Sequence, residues 1–166
     1  MEASNDLYRE LIAAFDPREI DGFRTREDRR DEGRLAIDRR IYLAALNNLA
    51  FQLIDGDAKA IEESEGLIET ALQLSVDELR PELLSTRASL LRSTGDREGA
   101  LESLLEAIEA DQTRLDLRIS AVEILVALGR MDKARSIAGQ GLDLAARYGF
   151  DPAQVELLRT LVEGSG

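Results

Sequence analysis

The chain has 166 residues, enough for one domain of ordinary size with a real core. It carries a formal net charge of −12, is 44% hydrophobic and 4% aromatic, and contains neither cysteine nor histidine. Disulfides, thiolate metal sites, cysteine nucleophiles and any Ser-His-Asp triad are therefore excluded, and the negative charge argues against nucleic acid or an anionic membrane as partner.

Residues 4–15 read as a short amphipathic helix. Ser4, Asn5 and Asp6 offer N-caps, and Leu7, Leu11, Ile12 and Phe15 form an apolar stripe at helical spacing. Asp16-Pro17 ends it. Between Arg24 and Arg40 seven arginines stand against five acids, a local positive excess in an acidic chain. The run RTREDRRDEGR reads as an exposed turn or loop held by i,i+4 pairs, with a small basic contact site as the functional reading. Residues 1–33 are thus assigned as an N-terminal helix and charged linker.

Residues 34–54 form the next helix. Its second half, residues 41–54, has no charge at all, so it must be covered on more than one face. That run is too short to cross a bilayer. Asn47 and Asn48 lie inside it and are expected to bond neighbouring loop backbone. Asp55-Gly56-Asp57 ends the helix. Residues 58–74 return, with Ile61, Leu67, Ile68, Ala71, Leu72 and Leu74 as candidate core. Their outer face carries Glu62, Glu65 and Glu69, which read as solvated side chains, since a hard cation needs oxygens converging from a shaped loop.

After a connector at 75–80, Pro81 opens a helix as proline can at a first helical position. Helices are predicted at 82–94, 97–110, 115–128 and 131–148, with tight turns at Gly95-Asp96 and Gly129-Arg130. Asp151-Pro152 restarts the chain as N-cap and first helical residue. The last helix, 152–163, carries Val155, Leu158, Leu161 and Val162 and covers the open end of a stack. Residues 164–166 form a flexible tail. No alternating β-branched run appears, so the chain is all-α. The N-terminus lacks a secretory pattern, and the expected location is cytoplasmic.

Written as two lines of 34 residues from Pro81, the chain registers with itself without a gap. Gly95 falls over Gly129, Ala100 over Ala134, Leu91 over Leu125, and Leu104 over Ala138. A fixed period in this range marks stacked helical hairpins, each burying its apolar face against the next.

At the positions where two helices cross closely, the first line reads Ala88, Leu91, Gly95, Ala100, Ala107 and the second Val122, Leu125, Gly129, Ala134, Gly141. This pattern resembles the tetratricopeptide repeat family. Two clear repeats cover 81–148, and a looser one covers about 42–74, with three extra residues between Gly56 and Ala71 absorbed in the return helix. The family's fourth-position aromatic is replaced by Leu84 and Arg118. The resemblance implies a right-handed α-solenoid of antiparallel hairpins over 34–163, with the N-terminal helix and a C-terminal capping helix.

It also implies a concave groove lined by the first helix of each hairpin. Carried over position by position, the lining is Leu43, Leu46, Ala50 and Leu53, then Glu82, Ser85, Ser89 and Arg92, then Asp116, Ile119, Glu123 and Val126. The lysine and asparagine that clamp a C-terminal carboxylate in some members are absent. A peptide with apolar anchors and a few basic residues complements such a floor. The expected function is non-enzymatic protein binding, adaptor- or co-chaperone-like, without cofactor. Two alternatives stand beside it. One is a self-assembling scaffold, by default a homodimer. The other is a chaperone similar to the small acidic tetratricopeptide (class II) chaperones of type III secretion. For catalysis only carboxylates, Tyr8, Tyr42, Tyr148, Lys59 and Lys133 offer proton transfer, and no pair has a spacing that compels a site.

Overall fold

The computed structural model describes residues 2–15, 32–75 and 78–163. Among them are eight helices and no strand: α1 (Glu2–Ala13), α2 (Glu32–Leu53), α3 (Ala58–Leu74), α4 (Arg80–Ser93), α5 (Arg97–Ala110), α6 (Leu115–Ala127), α7 (Met131–Tyr148) and α8 (Pro152–Glu163). The Asp16-Pro17 helix end, the expected basic run at 24–31 and the tail at 164–166 lie outside the described residues.

Local chemistry sets the helix ends. The Asp57 carboxylate accepts a hydrogen bond of 2.9 Å from the Ala60 N–H, and Asp96 accepts one of 2.9 Å from Gly99. Each satisfies a first-turn donor that has no partner within its helix. Gly95 and Gly129 turn the hairpins with φ of 90° and 71°, a region costly for any residue with a Cβ.

Consecutive helices pair as hairpins: α2 with α3, α4 with α5, α6 with α7. α3 has 17 residues against 14 for α5, the surplus expected from the Gly56–Ala71 spacing. Small residues sit where helices cross. Ser64 is fully buried and donates to the Ala50 carbonyl at 2.9 Å, drawing α3 tightly onto α2. α8 packs on α6 and α7, and Leu158 is completely buried there. Gly141 makes room for it: a Cβ at that position would stand 2.7 Å from the Leu158 methyl.

α1 lies antiparallel along α2. Phe15 packs on Tyr42 with ring centroids 5.6 Å apart, while near the other end the Gln52 amide donates to Ser4 Oγ at 3.2 Å. Arg9 adds a bidentate pair with Glu63 of α3. Ile12 and Phe15 reach the core from α1, but Leu7 points outward at 56% exposure. The stripe expected at Leu7 is therefore rotated, because the seat on α2 is filled from Ile12 and Phe15. Asn47 and Asn48 do not bond loop backbone: Asn48 is exposed and the Asn47 Oδ1 is buried without a partner.

The core falls into two clusters. One joins α2 and α3 with Leu83 of α4 and the inner edge of α1. The other runs from Leu84 and Ala88 of α4 through α5, α6 and α7 to Leu158 of α8.

Candidate protein-binding surface

The sequence placed the lining of the first hairpin at Leu43, Leu46, Ala50 and Leu53. All four are interior, at 0%, 2%, 0% and 7% exposure. Leu43, Leu46 and Ala50 pack against Ile68 and Ala71 of α3 and Leu83 of α4, and Ala50 carries the tight crossing with Ser64. The open face of α2 is instead Ile41, Ala44, Asn48 and Phe51, with Ile41 42% and Phe51 60% exposed.

The shift has a simple origin. Aligning Gly56 with Gly95 assumes that both glycines turn the chain in the same way. Only Gly95 has positive φ; Gly56 does not. Counted from the burial pattern, the open residues of α2 recur at intervals of 3, 4 and 3. The same intervals separate Glu82, Ser85, Ser89 and Arg92 on α4, and Asp116, Ile119, Glu123 and Val126 on α6. The registers of α4 and α6 were legible because they are 34 residues apart. That of α2 lay two residues earlier than the turn suggested.

On α4, Glu82 and Arg92 are exposed and Ser85 and Ser89 half-buried. On α6, Asp116, Glu123 and Val126 are half-buried, while Ile119 is interior at 7%. A small recess, water-sized at about 20 Å³, is lined by Ser85, Ser89 and Arg92 of α4 and Ser120 and Ile124 of α6.

The charges on the face these two helices share are already paired. Arg114 at the start of α6 donates to Glu82 at 2.9 Å and grips Asp116 with bonds of 2.8 and 2.6 Å. Arg92 pairs with Glu123 at 3.6 Å. The Arg114 guanidinium holds the Asp116 carboxyl below the usual carboxylate range, and the two carboxylates hold Arg114 firmly protonated. The basic complement expected for Glu82, Asp116 and Glu123 is thus supplied from within the chain. Sequence reasoning passed over Arg114, which sits in the loop position before the helix. Its distance of 32 residues from Glu82, close to one repeat, was the available signal.

Arg118 is unusual. It is only 6% exposed and donates from Nη1 to the Arg114 carbonyl at 3.0 Å, while its Nε is buried without a partner. Burial lowers its pKa, with Asp111 acting in the opposite sense. Among the described residues no group of three or more histidine, cysteine or carboxylate side chains is placed to hold a metal ion. None of the helices is long and apolar enough to cross a membrane.

No protein-family profile matches the chain, and no curated protein does. A solved structure is similar to it: the assembly chaperone of RpL4 (Acl4, residues 1–338), with a TM-score of 0.62 over 97% of this chain at 17% identity. The match covers 57% of the chaperone's chain, so this chain spans little more than half of that molecule's length. At that identity the likeness is one of fold alone.

Proposed function

We propose that this chain is a non-enzymatic protein-binding module of tetratricopeptide type, a right-handed stack over 34–163. In this reading it holds a segment of a partner protein along the face formed by α2, α4 and α6. The observation that carries this reading is the open stripe Ile41, Ala44, Asn48 and Phe51. It is uncharged, it belongs to a helix otherwise buried on two sides, and it stands beside a strip whose ions are mutually satisfied. A large exposed aromatic on such a face is the ordinary anchor of a protein interface.

Ser85, Ser89, Arg92, Asp116, Glu123 and Val126 continue the surface, with the two serines as adaptable hydrogen-bonding groups. Leu43, Leu46, Ala50, Leu53 and Ile119 support it from beneath and do not touch the partner. The anchor that meets α2 is apolar, and the overall charge of −12 favours a partner that is basic as a whole. The similar solved structure is that of an assembly chaperone, which supports a client protein as the partner.

The test is a double substitution, Ile41→Glu with Phe51→Glu, on the tagged protein. Partners retained from lysate of the source organism are identified by mass spectrometry for wild type and variant. A partner lost by the variant, whose helical circular dichroism and melting are unchanged, bears the reading out. Retention of every partner places the surface elsewhere. Light scattering on both proteins separates the scaffold alternative: a wild-type dimer that the variant dissolves assigns Phe51 to self-association.

A further inference from the structure

A second groove opens on the other side of α4. Arg80, Leu84, Arg87 and Leu91 recur at intervals of 4, 3 and 4. At about 100° per residue this stripe lies roughly 150° around the helix from Glu82, Ser85, Ser89 and Arg92. It faces Glu65, Glu69 and Leu72 of α3 across a cleft of about 580 Å³. α3 packs on α2 and α4, α5 packs on α4 and α6, and the cleft is lined from α3 and α4. The floor is apolar: Leu72 and Leu91 are half-buried there, over the buried side chains of Ile68 and Leu84.

The two walls have opposite charge and do not pair with each other. Glu65 has no hydrogen bond or ion pair among the described residues, and Glu69 only accepts a long bond of 3.4 Å from Gln73. On the opposite wall Arg87 is exposed and equally without a partner, whereas Arg80 is held by Glu106 of α5. This contrasts with the α4–α6 face, where every named carboxylate already has its arginine.

We propose that this cleft docks one amphipathic helix of a partner protein. Its aliphatic stripe lies on Leu72 and Leu91, a lysine- or arginine-bearing flank meets Glu65 and Glu69, and a carboxylate-bearing flank meets Arg87. The occupant is helical for a physical reason. No sheet edge stands among the described residues, so an extended peptide would bring unpaired backbone N–H and C=O groups into an apolar slot. A helix satisfies its own backbone, and two helical walls accept it as ridges into a groove. At about 580 Å³ the cleft falls within the size range of ligand-binding clefts.

The inference is independent of the α2 stripe and is tested with the whole chain. The probes are three fluorescein-labelled, end-capped helical peptides of about five turns. All carry the same leucine stripe; one has lysine on one flank and glutamate on the other, one lysine on both, and one glutamate on both. Affinities are read by anisotropy. The mixed-flank peptide binds wild type tightest. Arg87→Glu shifts preference to the all-lysine peptide, and Glu65→Lys with Glu69→Lys shifts it to the all-glutamate peptide, each by about tenfold. Leu91→Asp removes binding of all three while leaving the circular dichroism intact, and Phe51→Glu leaves it unchanged. Equal affinities across peptides and variants, loss through Phe51→Glu but not Leu91→Asp, or no binding of any peptide overturns the proposal.

Discussion

Arg114 joins two hairpins through one guanidinium, 2.9 Å from Glu82 on α4 and 2.6 Å from Asp116 on α6. One planar fork thereby pins the helix start of α6 to the neighbouring hairpin and at the same time removes two carboxylates from the electrostatics of that face. Arg130 repeats the device at the turn end of the same hairpins, bidentate to Glu98 at 2.8 and 2.6 Å. The first hairpin meets the second through apolar packing, with Leu83 of α4 in one cluster with Leu43, Leu46 and Ala50 of α2.

Arg114→Ala therefore loosens α6 without emptying the core. The side chain is about one-third exposed, so each pair is screened and the cost is about 1 kcal/mol. For a chain of this size that is a fall in Tm of roughly 2–4 °C. Differential scanning calorimetry in low and high salt checks it, with the difference between the two proteins shrinking as salt rises.

The same contact predicts a pH dependence. The Asp116 carboxyl is depressed below its ordinary value of 3.8, first by its bonds to Arg114. A folded-state pKa below the unfolded one contributes stability that is complete above the unfolded value and is lost as pH falls through the folded value. Asp116→Asn removes that contribution. Melting temperatures of wild type and variant converge below pH 3.8 and separate above it, with wild type the more stable. Asp111, depressed by its bonds to Thr113, acts in the same direction.

Arg118→Leu is expected to stabilise the protein. Arg118 is only 6% exposed, yet its guanidinium makes one backbone bond and its Nε has no partner. Leu84 occupies the equivalent position one repeat earlier and is fully buried. Well-packed aliphatic replacement of buried ionic groups is neutral or stabilising by up to about 4 kcal/mol, and the gain here falls in that range. Chemical denaturation with an unchanged slope and a raised midpoint is the expected result.

Two helical glycines separate backbone cost from packing. Gly139 is exposed with open space around a hypothetical Cβ, so Gly139→Ala gains about 0.5–1 kcal/mol from helix propensity. At Gly141 the same methyl meets Leu158 at 2.7 Å and Leu115 at 3.1 Å. Gly141→Ala thus costs about 1–3 kcal/mol, as overpacking does, and pushes α8 off its seat. Thermal melts of both variants give opposite signs.

Leu46 and Phe51 distinguish support from contact on α2. Leu46→Ala leaves a cavity in the first core cluster and costs about 2–5 kcal/mol. Phe51→Ser removes a side chain 60% exposed and leaves stability within about 0.5 kcal/mol; under the proposed function its effect falls on partner capture. Urea titrations of the two variants check this.

The sequence by itself determined the helical class, each helix among the described residues to within about two residues, the hairpin turns at Gly95 and Gly129, and the spare turn in α3. These follow from local chemistry: apolar periodicity, capping carboxylates and left-handed glycines act within a few residues of one another. Tertiary structure decided which face of α2 is covered. The second half of α2, without charge, offers no charged stripe to mark its outside, so the crossing at Ala50 and Ser64 and the seat of α1 had to be known before Leu43, Leu46, Ala50 and Leu53 went inside and Phe51 was left out. It also decided the electrostatics. Whether Glu82, Asp116 and Glu123 attract a partner depends on arginines a repeat away in the chain, which only the stacking of hairpins brings within hydrogen-bonding reach.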